Sequence, residues 1–207
     1  MDSTPPRNTT RLREAGAASR AETRRLLLAA AADEFEAVGY VAATVSRIAA
    51  GAGVTVQTLY LAWGSKRALL RAYLDATLAP GASPSGDHFA SQLRPDTPAG
   101  TLSQIAALFC GVARRSALAW RAYRDGAAVD PAIAQEWHQL QTLRKATMTA
   151  LLATIPDEAM RLRREDAVDT AWAIASPAAY DLMVSDAGYT LQRFEAWIAS
   201  TLHAAIL

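Results

Sequence analysis

Within residues 44–66, reading TVSRIAAGAGVTVQTLYLAWGSK, one side chain can read a base edge and several can hold a phosphate. Gln57 ends in an amide whose donor and acceptor match the paired edge groups of adenine, and Val56 beside it can meet a thymine methyl. Thr55, Thr58 and Tyr60 offer hydroxyls suited to phosphate oxygens. Lys66 follows Ser65 near a helix start, where its ammonium and the helix N-terminus together favour an anion. Thr44, Arg47 and Leu61 complete the candidate surface. No comparable set exists for covalent chemistry. His88, His138 and His203 are scattered, Cys110 lies in an apolar run without a nearby base, and neither a nucleophile elbow nor a phosphate loop is present. No catalytic residue, metal or cofactor is therefore expected. A helical scaffold that binds protein is the other class to weigh against duplex DNA.

Two short amphipathic segments position these side chains. In the first, Val45, Ile48, Ala49 and Ala52 recur at helical spacing, and Thr44 stands where it can cap the segment. Gly51 and Gly53 break the pattern, and Gly53 can take the positive φ that a tight turn demands. The second segment, Thr55 to Leu61, has Leu59 as its inward anchor and is too short to fold unsupported. Support comes from an earlier helix in which Leu27, Leu28, Ala31, Phe35 and Val38 form an inward stripe, leaving Glu34 and Glu36 toward solvent. A helix-turn-helix is what this arrangement builds.

At these residues the chain resembles the DNA-binding domain of the TetR family of one-component transcriptional regulators, from Thr23 to about Leu78. The family's Phe-x-x-x-Gly-Tyr is matched by Phe35, Gly39 and Tyr40, and its Thr and Ile-Ala by Thr44, Ile48 and Ala49. Its Ala-Gly-Val turn is matched by Ala52, Gly53 and Val54. Its Thr-Leu-Tyr-x-x-aromatic-x-x-Lys is matched by Thr58, Leu59, Tyr60, Trp63 and Lys66. Two positions depart from the pattern. Ala62 stands where an aromatic residue or histidine is common, and Val56 where a basic or polar residue is common, which weakens the expected grip on the backbone.

Composition places the rest. The chain has 207 residues, is 51% hydrophobic and has a net charge of +1, so any attraction to nucleic acid is local. Between Arg7 and Arg25 six arginines face two glutamates. Residues 1–19, with Arg7, Arg11 and Arg13, read as a disordered basic arm, with a minor-groove contact as the sharper alternative. Residues 20–66 read as the DNA-binding domain and 67–207 as a helical effector and dimerisation domain. Cys110 is the only cysteine, so no internal disulfide forms. No signal peptide opens the chain, and no apolar run reaches the ~20 residues of a membrane span, so a cytoplasmic protein without a membrane partner is expected.

After a helix from Lys66 to about Ala79, Pro80 to Pro98 contains four prolines and reads as a linker or long loop. Helical patterns follow over residues 99–115, 116–127, 131–154, 165–176, 177–185 and 191–206. With no period-2 strand, the chain is all-α. Aromatic and polar side chains on these helices could line a small-molecule pocket: Phe109, Cys110, Trp120, Tyr123, Trp137, His138, Gln141, Arg144 and Trp172. Plain core is the competing reading of each aromatic among them. Arg144 would suit a carboxylate.

The last two long helices carry Ala167, Thr170, Ala171 and Ile174 on one face, and Leu191, Phe194, Ile198, Leu202 and Ala205 as a stripe. Read from the residues alone, such stripes suit core or interface. The TetR resemblance implies dimerisation there, two recognition helices on a palindromic operator, and a small-molecule effector that shifts the Lys66–Ala79 helix and lowers operator affinity. Repression is the outcome the resemblance implies.

Overall fold

Proline and hydroxyl or carboxylate side chains set most helix starts in this chain. Thr97, Asp130 and Ser176 each precede a proline and accept a backbone N–H from Gly100 (3.0 Å), Ala132 (2.9 Å) and Ala179 (3.1 Å) respectively. Thr44, Thr55 and Thr190 cap three further helices in the same way. The computed structural model describes residues 7–79, 85–94 and 96–207, with side chains from residue 13 onward. The elements are α1 (Arg7–Ala42), α2 (Val45–Gly51), α3 (Val56–Trp63), α4 (Lys66–Leu78), α5 (Gly86–Ala90), α6 (Pro98–Ala127), α7 (Pro131–Leu152), α8 (Arg164–Ile174), α9 (Pro177–Tyr180) and α10 (Leu191–Ile206). No strand occurs among the described residues.

The chain divides into two compact units. One ends at Tyr73 and the other runs from Leu74 to Leu207. Sequence reasoning divided them after Lys66. The difference has a packing cause: Leu69 and Leu70 are fully buried, and the Tyr73 hydroxyl donates to the Glu36 carboxylate of α1 at 2.6 Å. Burial and that carboxylate together push the Tyr73 phenol well above its ordinary range.

In the first unit, Leu27, Ala31, Phe35, Ile48, Ala49 and Leu59 form a core between α1, α2 and α3. Three expectations are corrected. The stretch from Arg7 to residue 19 is helical rather than a disordered arm, because its alanines, arginines and Glu14 are good helix formers contiguous with α1; residues 1–6 of that arm lie outside the described residues. Val38 is exposed, because α1 breaks at Gly39 (φ 73, ψ 166) and Tyr40 turns inward instead. Glu34 is largely covered and binds the α2 region, as described below.

The second unit packs α6 against α7 and α10, and α8 against α7 and α10. Its core includes Leu102, Ile105, Leu152, Phe194, Ile198, Leu202 and Ile206, all fully buried. Residues 99–127 are one helix, not two. Ser116, at the expected break, is buried in mid-helix and donates its hydroxyl to the Val112 carbonyl at 2.9 Å, a bond that keeps a polar residue inside a continuous helix. The segment read as a linker contains α5, capped by Ser85 and packed on α7 so closely that a Cβ on Gly86 would lie 3.2 Å from Ala150 Cβ. Residues 80–84 and 95 of that segment lie outside the described residues. Residues 177–185 are α9 followed by a π-type stretch, Asp181–Asp186. No described helix is long and apolar enough to cross a membrane.

Candidate functional site

Thr55 starts α3: its hydroxyl accepts the Thr58 amide at 3.1 Å and lies 2.9 Å from the Thr58 hydroxyl. Leu59, fully buried, fixes the rotation of the helix. That rotation leaves Thr55, Gln57, Tyr60 and Leu61 outward, with Tyr60 49% and Leu61 82% exposed, while Val56 and Thr58 are half-buried. Gln57, Tyr60 and Leu61 fall one turn apart on a single face. Gly53, at φ 67 in the turn, lets α2 and α3 pack at a sharp angle.

The cations expected to serve this face have other employment. Arg47 donates from Nε to Glu34 Oε1 at 2.6 Å and from Nη2 to the Ala42 carbonyl at 3.0 Å. Glu34 also accepts the Thr44 amide at 3.3 Å, so one carboxylate ties α1 to the start of α2. Lys66 is half-buried: its Nζ donates to the carbonyls of Tyr40 and Ala43, each at 2.8 Å, and lies 4.2 Å from the Tyr40 ring centroid. These bonds compete with the phosphate role read for Lys66 from the sequence. Its ammonium satisfies carbonyls left over where α1 breaks at Gly39.

Sequence reasoning missed Arg24. Its guanidinium donates to the Ala62 carbonyl and lies 3.7 Å from the Trp63 ring centroid, while Trp63 Nε1 donates to the Arg24 carbonyl at 3.3 Å. This pair clamps the C-terminal end of α3 to α1. Arg20, one helical turn earlier, and Arg13 beyond it are exposed and make no ion pair among the described residues. The spacing of arginines along α1 was the signal available for this.

In the second unit a cavity of about 90 Å³ opens between α6 and α7. Its wall is almost wholly apolar, with Phe89, Phe109, Leu108, Leu143 and Met148 contributing, together with Leu78 of α4 and Tyr180 of α9. Of the residues nominated from sequence, Phe109, Trp120 and Arg144 line it. Trp120, Trp137, Gln141, Arg144 and Trp172 line a second cleft of about 260 Å³. The two cavities share Trp120, Arg144 and Pro177 as a common wall.

Three nominations are corrected. His138 is exposed on the outside of α7 and lines neither cavity. Tyr123 is fully buried, its hydroxyl donating to Glu136 at 2.6 Å, and is core. Cys110 is also core, and burial pushes its thiol up to about 12, which removes it as a nucleophile at neutral pH. Phe89 and Tyr180 were missed because neither the short helix α5 nor the turn after Pro177 has a periodic pattern to expose it.

Arg144 is held against α8. Nη1 donates to the carbonyls of Trp172 (2.7 Å) and Ala175 (3.0 Å), Nε donates to Gln141 Oε1 at 3.2 Å, and the guanidinium lies 4.7 Å from the Trp172 ring centroid. Burial lowers its pKa to about 10, which leaves it charged at neutral pH. The stripe proposed for a subunit interface is also placed: Ala167, Ala171, Phe194, Ile198 and Leu202 are buried within the unit, and only Thr170, Ile174, Leu191 and Ala205 retain exposure.

Residues 27–73 match the profile of "Bacterial regulatory proteins, tetR family". No curated protein matches the chain in sequence. Among solved structures, a transcriptional regulator from Rhodococcus sp. Rha1 superposes with a TM-score of 0.65 at 21% identity, covering 87% of this chain and 94% of its own. NalD of Pseudomonas aeruginosa, the secondary repressor of the MexAB-OprM multidrug efflux pump, gives 0.67 at 16% identity, covering 89% and 96%. The fatty acid degradation regulator FadR of Bacillus halodurans gives 0.64 at 17% identity, covering 86% and 93%. At these identities the structural likeness is one of fold. The first unit thus carries the tetR-family helix-turn-helix profile over residues 27–73, and the chain as a whole shares its all-helical fold with these solved regulators.

Proposed function

We propose that the protein is a dimeric repressor that binds a two-fold symmetric operator through α3 and leaves it when a small molecule occupies the α6–α7 cavity. The observation that supports this most directly is the outward face of α3. Thr55, Gln57, Tyr60 and Leu61 stand clear of a helix whose other side is fixed by Leu59, Arg24 and Trp63. Gln57 reads a base edge, Leu61 and Val56 meet apolar base surface, and Thr55 and Tyr60 hold phosphates. Positive charge for the backbone comes from Arg13 and Arg20 on α1, which replace Lys66 in that role.

Dimerisation in this reading uses the outer side of α10. Ala196, Ser200 and His203 are exposed at one-turn spacing, with Ala199 half-buried beside them, and such small residues allow close helix approach. Two heads then meet half-sites about one helical turn apart or a multiple of it. The ligand acts through α4, a continuous helix that bears Lys66 and Leu70 of the first unit and Leu78 on the cavity wall of the second. To work as a switch the ligand favours the free conformation. A hundredfold preference corresponds to about 2.7 kcal/mol.

Selection from a randomised duplex library tests the reading. Enrichment of a symmetric site, bound by a dimer in preference to random competitor, is the expected result. A strictly monomeric protein, or a library that enriches nothing, contradicts it.

A further inference from the structure

We propose that the effector is an amphipathic anion, with an apolar body in the α6–α7 cavity and a carboxylate-type head in the adjoining cleft beside Arg144. The inference rests on the regulator reading for its biological sense, but its physical basis is the charge and donor balance of the cleft. Three guanidiniums, Arg121, Arg124 and Arg144, line the cleft against a single carboxylate, Asp181. That carboxylate is shared: Oδ1 accepts Arg121 Nε at 2.7 Å and Oδ2 accepts Arg124 Nη1 at 3.0 Å. Arg121 also reaches the Ser185 hydroxyl, and Arg124 meets Asp125 at 3.3 Å on the exposed side. Counting Asp125 still leaves positive charge in excess.

Arg144 is the most telling member. Among the described residues it has no carboxylate partner, only the side-chain carbonyl of Gln141 and the last carbonyls of α8. The negative end of α8 offsets part of its charge. A guanidinium has five N–H donors, and these three bonds leave the two on Nη2 to meet an acceptor oxygen. Beside it, the indole N–H of Trp172 is buried without an acceptor. What the cleft lacks is negative charge and acceptor oxygen, and a ligand head supplies both.

The apolar body follows from adjacency. Trp120, Arg144 and Pro177 line both cavities, so a head on Arg144 lies next to the apolar cavity walled by Phe109 and Leu143, where the body of the ligand is placed. A neutral ligand would leave the charge excess unmet, and a wholly polar one would leave the apolar cavity empty.

Matched acids and amides separate these cases: hexanoate, octanoate and phenylacetate against hexanamide, octanamide and phenylacetamide. Binding to the full-length protein is measured by calorimetry and by the fluorescence of its tryptophans. Acids are expected to bind tighter than their amides by about tenfold or more, the scale of one charge-assisted hydrogen bond. The preference should shrink in Arg124→Gln, weaken with added salt, and vanish in Arg144→Gln. Arg124 lies at the exposed rim, so that variant remains informative if Arg144→Gln does not fold. Amides binding as well as acids, a preference that survives both substitutions, or no binding by any member would overturn the proposal. Operator affinity is read separately. Acids that bind tightly and leave it unchanged would keep the ligand class and remove the release mechanism. Amides that release DNA while acids do not would keep the release mechanism and remove the ligand class.

Discussion

In the α2–α3 head, Arg47 is held by Glu34 and the Ala42 carbonyl, and Lys66 by the carbonyls of Tyr40 and Ala43; in the cleft beside α8, three guanidiniums line a wall with one carboxylate, which pairs with two of them and leaves Arg144 without one. The cations of the head fix its geometry, and the outward face of α3 carries no charged side chain. Those of the cleft exceed what the fold itself requires. A basic residue in a binding motif is therefore weak evidence of a contact until its partners are known. The same residue type is strong evidence where those partners fall short.

The comparison can be broken at several points. The largest effect is expected in the second unit, where Phe194→Ala removes a fully buried ring packed on Tyr180 and Trp197. Denaturant unfolding should show a loss of about 3–5 kcal/mol. Ser200→Arg should leave folding intact and convert dimer to monomer in light scattering. A dimer disrupted by Phe194→Leu but not by Ser200→Arg would move the interface back to the inner stripe.

Lys66→Met strands the Tyr40 and Ala43 carbonyls and should cost about 2 kcal/mol of stability. The salt dependence of DNA binding should stay unaltered. A flatter slope with normal stability would restore Lys66 to the phosphate contacts. Arg20→Gln is expected to behave in the opposite way, with an unchanged unfolding midpoint and the log-affinity against log-salt slope reduced by about 1. Thr55→Ala should cost about 1 kcal/mol through loss of the α3 cap, checked by the same unfolding curves.

How much of this was legible in the sequence differs between the units for a physical reason. The head is built from contiguous short-range signals: Thr44 and Thr55 as caps, Gly53 at the turn, and Leu59 as an anchor within one short helix. Each is visible within a window of a few residues. The partners of Arg47 and Lys66 were not, because Glu34 and the Tyr40 and Ala43 carbonyls sit in another element and are brought close by the break at Gly39.

In the second unit most helices were legible from periodicity, and the expected starts at residues 131 and 177 agree with the structure. The cavity walls were not. Phe89 reaches the cavity from a five-residue helix inside a proline-rich stretch. His138 and Trp137 are neighbours in sequence with different exposure, since a rotation of about 100° per residue separates them on α7. The inner stripe of α10 looked like an interface because sequence cannot say whether its apolar partner is α6 or a second subunit.

Equilibrium binding of the selected duplex against random competitor, for the wild type and for Gln57→Ala combined with Tyr60→Ala, tests the α3 reading face most directly. The double variant is expected to lose its preference for the selected duplex while its unfolding midpoint stays within about 0.5 kcal/mol of wild type, as exposed substitutions do. An unchanged preference in the double variant, or a wild type that binds selected and random duplexes alike, would contradict the assignment of α3 as the element that reads DNA.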